Sequence, residues 1–283
     1  MILERVNGNQ HDAAGRGRPV PPGREKAGLT TAQPIGITIA GRHLSPELLQ
    51  ELRDAAGRTG IDFEFLVAQA SVESGFSAKA RSNRGSAAGL FQFTGATWLR
   101  MMHDHGGKYG YGDLARQITP TAHGGIAASD KEAEERILAL RQDNRLSALF
   151  ACEYAKANGA RLEAVTGHKA TAAELHLAHL LGPNGAIRFL KAHDDDEDQA
   201  AAKVVPAAAR QNPGLFYASG RTARSVAAVY QKIQERLDVP LRQVAAIESG
   251  QLRPAMGLAE NDLRPALGLS SENLPRSRTD RRA

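Results

Sequence analysis

The sequence predicts an all-helical domain flanked by disordered N- and C-terminal arms, and three observations support that prediction. Helix-capping residues recur along the middle of the chain, each just ahead of an apolar stretch. The apolar residues between them fall at helical spacing, with no convincing alternating strand. The two ends are rich in Gly, Pro, Arg and Gln and have little to bury. These signals divide the chain into an arm at residues 1–43, a domain at 44–239 and a weakly structured tail at 240–283.

Ser45 followed by Pro46 is a cap and first-turn proline, opening a helix that stops near Gly57 or Gly60. Asp62 caps a helix over 63–74, with Gly75 as its stop. Thr94 starts a helix carrying Trp98, Leu99 and Met102, and Asp130 opens a charged one through Leu140. Asp143 begins another, which Asn158-Gly159 is expected to end. Thr171 and Glu174 make a capping box ahead of "LHLAHLL", and Gly182-Pro183 breaks that helix sharply. Ser225 leads the last helix, with Val226, Val229, Ile233 and Leu237 on one stripe. The acidic run at 194–198 lacks the glycine and spaced oxygens of a calcium loop and reads as a solvated linker.

Composition narrows the function classes. One cysteine, Cys152 in "ALFACEYA", rules out an internal disulfide framework and reads as core. No apolar run approaches the ~20 residues that span a bilayer. The N-terminal stretch has charges without an apolar segment behind them, so it does not read as a secretory signal. A formal charge of +5 suits anionic partners, whether nucleic acid, lipid or cell-wall polymer. The arginines are scattered, without a basic helix or interleaved aromatics, so no specific nucleic-acid binding is expected. His103-Asp104-His105 places two histidines two apart, which is the wrong spacing for one helix face, and neither a metal nor a cofactor is expected.

One residue stands out chemically. Glu73 ends the apolar stretch "LVAQASVES", and at ~100° per residue it falls on the stripe of Leu66 and Ala70. A carboxyl on the core side of a helix resists ionisation, and a carboxyl still protonated at neutral pH is what a general acid requires. The competing reading is an exposed helix-end glutamate held by Arg81 or Arg84.

The residues after it carry a resemblance. Glu73-Ser74-Gly75-Phe76, followed by Gly89-Leu90-Phe91-Gln92, resembles the two motifs of the soluble (SLT-type) lytic transglycosylases in the lysozyme-like superfamily. Phe91 stands where methionine is commoner, and the motifs are one residue further apart. A third element, usually Tyr-Asn-Ala-Gly-Pro-Gly, survives in "HLAHLLGPNGAIRFLKA" only as Gly182-Pro183. His179, or alternatively His176, takes the place of the tyrosine, as in a divergent branch of the family. The resemblance covers about residues 44–237.

It implies a lysozyme-like helical fold and cleavage of the β-1,4 bond between N-acetylmuramic acid and N-acetylglucosamine in peptidoglycan. Glu73 would act first as acid and then as base, closing a 1,6-anhydro ring without water. No second carboxylate follows Glu73 closely; Glu153 lies on an apolar helix and Glu174 serves its cap. The substrate-binding candidates are Ser82, Gln92, Phe93, His179 and Tyr217. Gln92 suits a sugar or its own loop equally, one of Phe91 and Phe93 lines a groove, and Tyr217 walls the cleft or packs beneath the last helix.

A muramidase that hydrolyses the same bond, or a basic non-catalytic cell-wall or nucleic-acid binding protein, are the competing functions. The implied location is the cell envelope or periplasm. The implied partners are glycan strands and, for export of a monomer without a visible signal, a secretion or flagellar apparatus.

Overall fold

The structure, a computed structural model, describes residues 36–83, 85–123 and 125–251, all within a unit that begins at Pro34. Residues 1–35 and 252–283 of the expected arms lie outside the described residues. The described chain is mostly helical, as expected, and its caps sit where the sequence puts them. Ser45 Oγ accepts from Leu48 N–H at the start of α1 (Pro46–Thr59), which ends on left-handed Gly60. The Asp62 carboxylate accepts from the N–H groups of Glu64 and Phe65 at the start of α2 (Phe63–Ser74). Thr94 caps α3 (Gly95–His105), and the short α4 (Gly112–Ala115) follows. Asp130 caps α5 (Lys131–Ala139), and Asp143 caps α6 (Asn144–Thr166). Thr171 and Glu174 close a full capping box on α7 (Ala172–Leu181), and α8 (Pro183–Asp195) starts directly after Gly182. Three short helices, α9 (Ala201–Val204), α10 (Pro206–Gln211) and α11 (Pro213–Phe216), lead to α12 (Val226–Glu248).

Four expectations need correction. Residues 36–43 do not belong to an arm: β1 (Ile37–Ile39) and β2 (Arg42–Leu44) pair antiparallel, joined by Ala40 and Gly41 at positive φ. A two-residue turn of that hand matches the twist of the strands it joins. Ile37, Ile39 and Leu44 enter the core, and Ala40 N–H donates to Gln243 Oε1 at 2.6 Å. A second hairpin, β3 (Ile118–Pro120) and β4 (Ile126–Ala128), rests on α3 and α5. Strands of three residues are too short to leave a periodic signal, so neither hairpin is legible as alternation.

Asn158-Gly159 does not stop α6, which runs on to Thr166 and its left-handed cap Gly167. A Cβ on Gly159 would lie 3.3 Å from Leu175 Cδ2, so the glycine lets α7 approach closely and acts as a packing residue. The tail does not begin at Pro240: α12 passes through it to Glu248. Proline removes one helical hydrogen bond, but Pro240, Val244 and Ile247 are buried, and Glu248 accepts from Arg53 at 3.0 Å. Tertiary packing outweighs the local defect. Finally, the acidic run is helical at Asp194 and Asp195, with only its remainder forming a turn.

The core has two parts. One gathers β1, α1, α3 and the first half of α6 around Trp98, Phe91, Phe93 and Phe150, and Trp98 Nε1 donates to Ile137 O at 2.7 Å. Cys152 is buried there, its thiol pushed up to about 12 by burial. The other collects α7, α8, α11 and α12 around Phe189 and Phe216. Helix α2 lies between them, contributing Leu66, Val67 and Ala70 to the first and Ala68 to the second.

A chain ended after Val239 loses Gln243, Val244 and Ile247. We expect urea denaturation to give it roughly 3–6 kcal/mol less stability than the full chain, the burial value of two aliphatic side chains. An unchanged midpoint would mean that the end of α12 contributes nothing to the core.

Candidate functional site around Glu73

Because both cores close on α2, seven consecutive residues, Phe65 to Ser71, are buried, and the helix has no solvent face over that length. Such a helix is apolar all round. Glu73 is therefore enclosed by its place at the end of a buried helix; the stripe shared with Leu66 and Ala70 does not by itself distinguish an inner side. Its side chain keeps 14% of its surface exposed. The carboxyl is thus largely desolvated and still reachable. Burial pushes its pKa up to about 8, against the charge of Arg236, which pulls the other way. Arg81 plays no part in holding it, and Arg84 lies outside the described residues.

Two imidazoles face the acid. His176 Nδ1 lies 3.6 Å and His179 Nε2 3.7 Å from Glu73 Oε1. Burial lowers His176 to about 3, with His179 and Arg236 adding to the effect, and burial lowers His179 to about 4. At neutral pH the trio is an uncharged carboxylic acid beside two uncharged rings, not an ion pair. His179 Nε2 donates to Phe91 O at 2.9 Å, which places its proton on that nitrogen. His176 Nδ1 has no hydrogen-bond partner among the described residues and is sealed from solvent. It faces the Glu73 carboxyl at 3.6 Å, too distant for a formed bond.

The loop after Glu73 is shaped by backbone demands. Gly75 and Phe76 both have positive φ, and their N–H groups return to Ser71 O and Ala70 O to seal the end of α2. Phe76 buries its ring in exchange for that strained conformation. Gly89, at φ +83°, presses against Arg141, where a Cβ would come 2.0 Å from the carbonyl oxygen. Gln92, also at positive φ, donates its side-chain amide to Ala80 O (3.2 Å) and Gly89 O (2.9 Å). Of its two expected uses, the amide donor serves the loop.

Arg141 was not singled out by sequence. It is buried and donates to Leu138 O, Ser86 O and Phe93 O, joining the loop to the chain before α6. A lone arginine between a charged helix and an aspartate cap carries no sequence signal for that role.

The other candidates are placed as follows. Phe91 and Phe93 are both buried; Phe93 stacks edge-on against His179 at 5.4 Å and meets Tyr154 and Trp98, so it supports the histidine from within the core. Ser82 is half-buried in the loop, its N–H donating to Ala87 O at 2.9 Å. Tyr217 is half-buried against the second core, where Arg224 donates to its carbonyl oxygen. Among the described residues no hydrogen bond, ion pair or ring contact links Tyr217 to Glu73 or His179.

Glu153 sits elsewhere. Burial raises its pKa, but hydrogen bonds from Lys108 and Tyr109 outweigh that and hold it below the usual carboxylate range. Glu174 closes its capping box. Among the described residues no three His, Cys, Asp or Glu side chains gather as metal ligands. No helix among them is long and apolar enough to cross a membrane. No family model matches the chain.

Two outcomes follow. Glu73 binds its proton more tightly folded than unfolded, so its stabilising contribution is complete below about 4.5 and is lost as pH rises through about 8. The melting temperature of wild type minus that of Glu73→Gln should therefore fall between pH 5 and pH 8 and then level off; a flat difference would mean an ordinary, exposed carboxylate. Gly89→Ala should lose about 3 kcal/mol in urea denaturation, because the added methyl meets backbone and the φ is unfavourable.

Proposed function

We propose that this protein is a peptidoglycan lytic transglycosylase with a lysozyme-like helical domain, Glu73 being its acid and then its base. The observation that carries the reading is Glu73 itself: a protonated, partly accessible carboxyl at the end of a buried helix, beside two neutral imidazoles. It stands on the two motifs that resemble the family and on the surroundings of the acid.

The chemistry balances with one carboxyl. Glu73 gives its proton to the glycosidic oxygen as the bond to the anomeric carbon of N-acetylmuramic acid breaks. The sugar's own 2-acetamido oxygen bonds to that carbon, doing what a second carboxylate does in most glycosidases. Glu73, now ionised, takes the proton of the C6 hydroxyl. The C6 oxygen then displaces the acetamido oxygen and closes the 1,6-anhydro ring. The acid is restored and no water is consumed.

Each step makes an electrostatic demand. The first needs a proton still present near neutral pH, which desolvation favours. The third needs a carboxylate basic enough to take a hydroxyl proton, and a raised pKa serves that as well. The low pKa values of His176 and His179 keep positive charge away from Glu73, where it would promote early ionisation. A lyase is favoured over a muramidase because Glu73-Ser74-Gly75-Phe76 and Gly89-Leu90-Phe91-Gln92 resemble the transglycosylase motifs.

We expect purified protein to release 1,6-anhydro muropeptides from isolated sacculi, with kcat/KM falling above about pH 8. Glu73→Gln should lower the rate by about 100-fold or more, the usual share of acid–base catalysis, while keeping the helical circular dichroism of the wild type. Reducing-end products would replace the lyase with a hydrolase. Full activity of the variant would remove Glu73 from the chemistry.

A further inference from the structure

A second feature opens beside the acid-bearing helix. A concavity of about 370 Å³ is lined by Ala40 and Arg42 of the first hairpin, Ser71 and Val72 of α2, and Arg236 and Pro240 of α12. Its wall contains two arginines and no acid. Arg42 lies over the end of α2, its Cδ 3.3 Å from where a Cβ of Gly75 would be.

The acids along α12 are already engaged. Asp238 pairs with Arg242 at 2.6 Å, Glu235 accepts from Gln231 at 2.9 Å, and Glu248 holds Arg53 at 3.0 Å. Neither Arg42 nor Arg236 has an acidic side chain within ion-pair distance among the described residues. Two guanidinium groups left without acids around one hollow favour an anion, and their planar forks suit a carboxylate.

Pro240 adds a further requirement. It has no N–H to offer the carbonyl of Arg236, four residues earlier, so a residue lining the pocket carries a backbone acceptor deprived of its usual helical donor. The complementary ligand therefore presents a carboxylate and, close to it, an N–H donor. The free C-terminus of a peptide has both, a carboxylate and the amide N–H of the same residue.

We propose that this pocket receives the C-terminal residue of the peptide stem carried by the glycan strand, its carboxylate on Arg42 and Arg236 and its amide N–H toward the Arg236 carbonyl. The assignment rests on the peptidoglycan reading of Glu73 and extends it from the sugar to the stem. The walls of the pocket are fixed to one another, since Gln243 ties the hairpin turn to α12, and α12 packs along α2. Arg236 also acts electrostatically on Glu73, so the pocket and the acid share one field.

The test is a calorimetric titration of full-length protein with the stem tetrapeptide L-Ala-γ-D-Glu-meso-diaminopimelyl-D-Ala and with the same peptide amidated at its C-terminus. Wild type should bind the free acid about tenfold more tightly than the amide, the scale of a hydrogen bond to a charged group. The double variant Arg42→Gln, Arg236→Gln should bind the acid no better than the amide. Equal affinity of wild type for both peptides, absence of binding, or an unchanged preference in the variant would each overturn the proposal. Inorganic phosphate displacing the peptide at equal concentration would do so too, marking an adventitious anion site. The acid-against-amide comparison needs only wild type, so it holds even if the variant misfolds. Protein that binds the free acid selectively yet cuts no sacculi would leave the pocket standing and remove the glycan chemistry; protein that cuts sacculi without that selectivity would do the reverse.

Discussion

The structure depends on the desolvation of one carboxyl. A glutamate in water ionises near 4.5, and the value for Glu73 is displaced to about 8 because the helix beneath it is enclosed by two cores. Each core alone would leave α2 with an outer face, and Glu73 would reach water from it. The helix therefore needs both, which is why the hairpin, α1 and α6 on one side and α7, α8 and α12 on the other all bear on the acid. The 14% of its surface that remains open keeps the same group reachable.

Holding the loop opposite the acid takes contributions from distant parts of the chain. Gln92 fastens the loop to itself, Arg141 fastens it to the segment before α6, and His179 reaches it from α7. All three bonds end on backbone carbonyls. A loop of this kind, rich in glycine and forced into left-handed φ at Gly89 and Gln92, has little intrinsic preference for one shape. Its geometry is set by the donors that surround it. His179 thereby joins the loop to the acid, since the nitrogen that binds Phe91 O also lies 3.7 Å from Glu73.

Three largely enclosed glutamates illustrate how environment separates like groups. Glu73 is raised by burial, with no hydrogen bond among the causes of its shift; Glu153 is also shut in but lowered by Lys108 and Tyr109; Glu174 accepts from Thr171 N–H in a helix cap. Divergence of this kind is how one chain keeps an acid protonated while its other carboxylates stay structural. Arg236 works against the burial of Glu73, and its lack of an acid partner on α12 leaves that influence in place.

Local chemistry was readable in advance. The caps at Ser45, Asp62, Thr94, Asp130, Asp143, Thr171 and Ser225 each satisfy backbone donors within three residues, so they appear in the sequence as they appear in the fold. The position of Glu73 at a helix end was equally legible, because Gly75 stops α2 through its own φ. What depends on distant partners was not. Gly159 looks like a stop until α7 is seen against it, Pro240 looks like a break until the residues beyond it are seen in the core, and Arg141 and Arg236 look like ordinary surface cations. By itself the sequence determined the helices, most of their ends and the residue that bears the proton, all of which follow from interactions between near neighbours. Only the tertiary structure decided the acidity of that proton, because desolvation is imposed by segments as much as a hundred residues or more away along the chain.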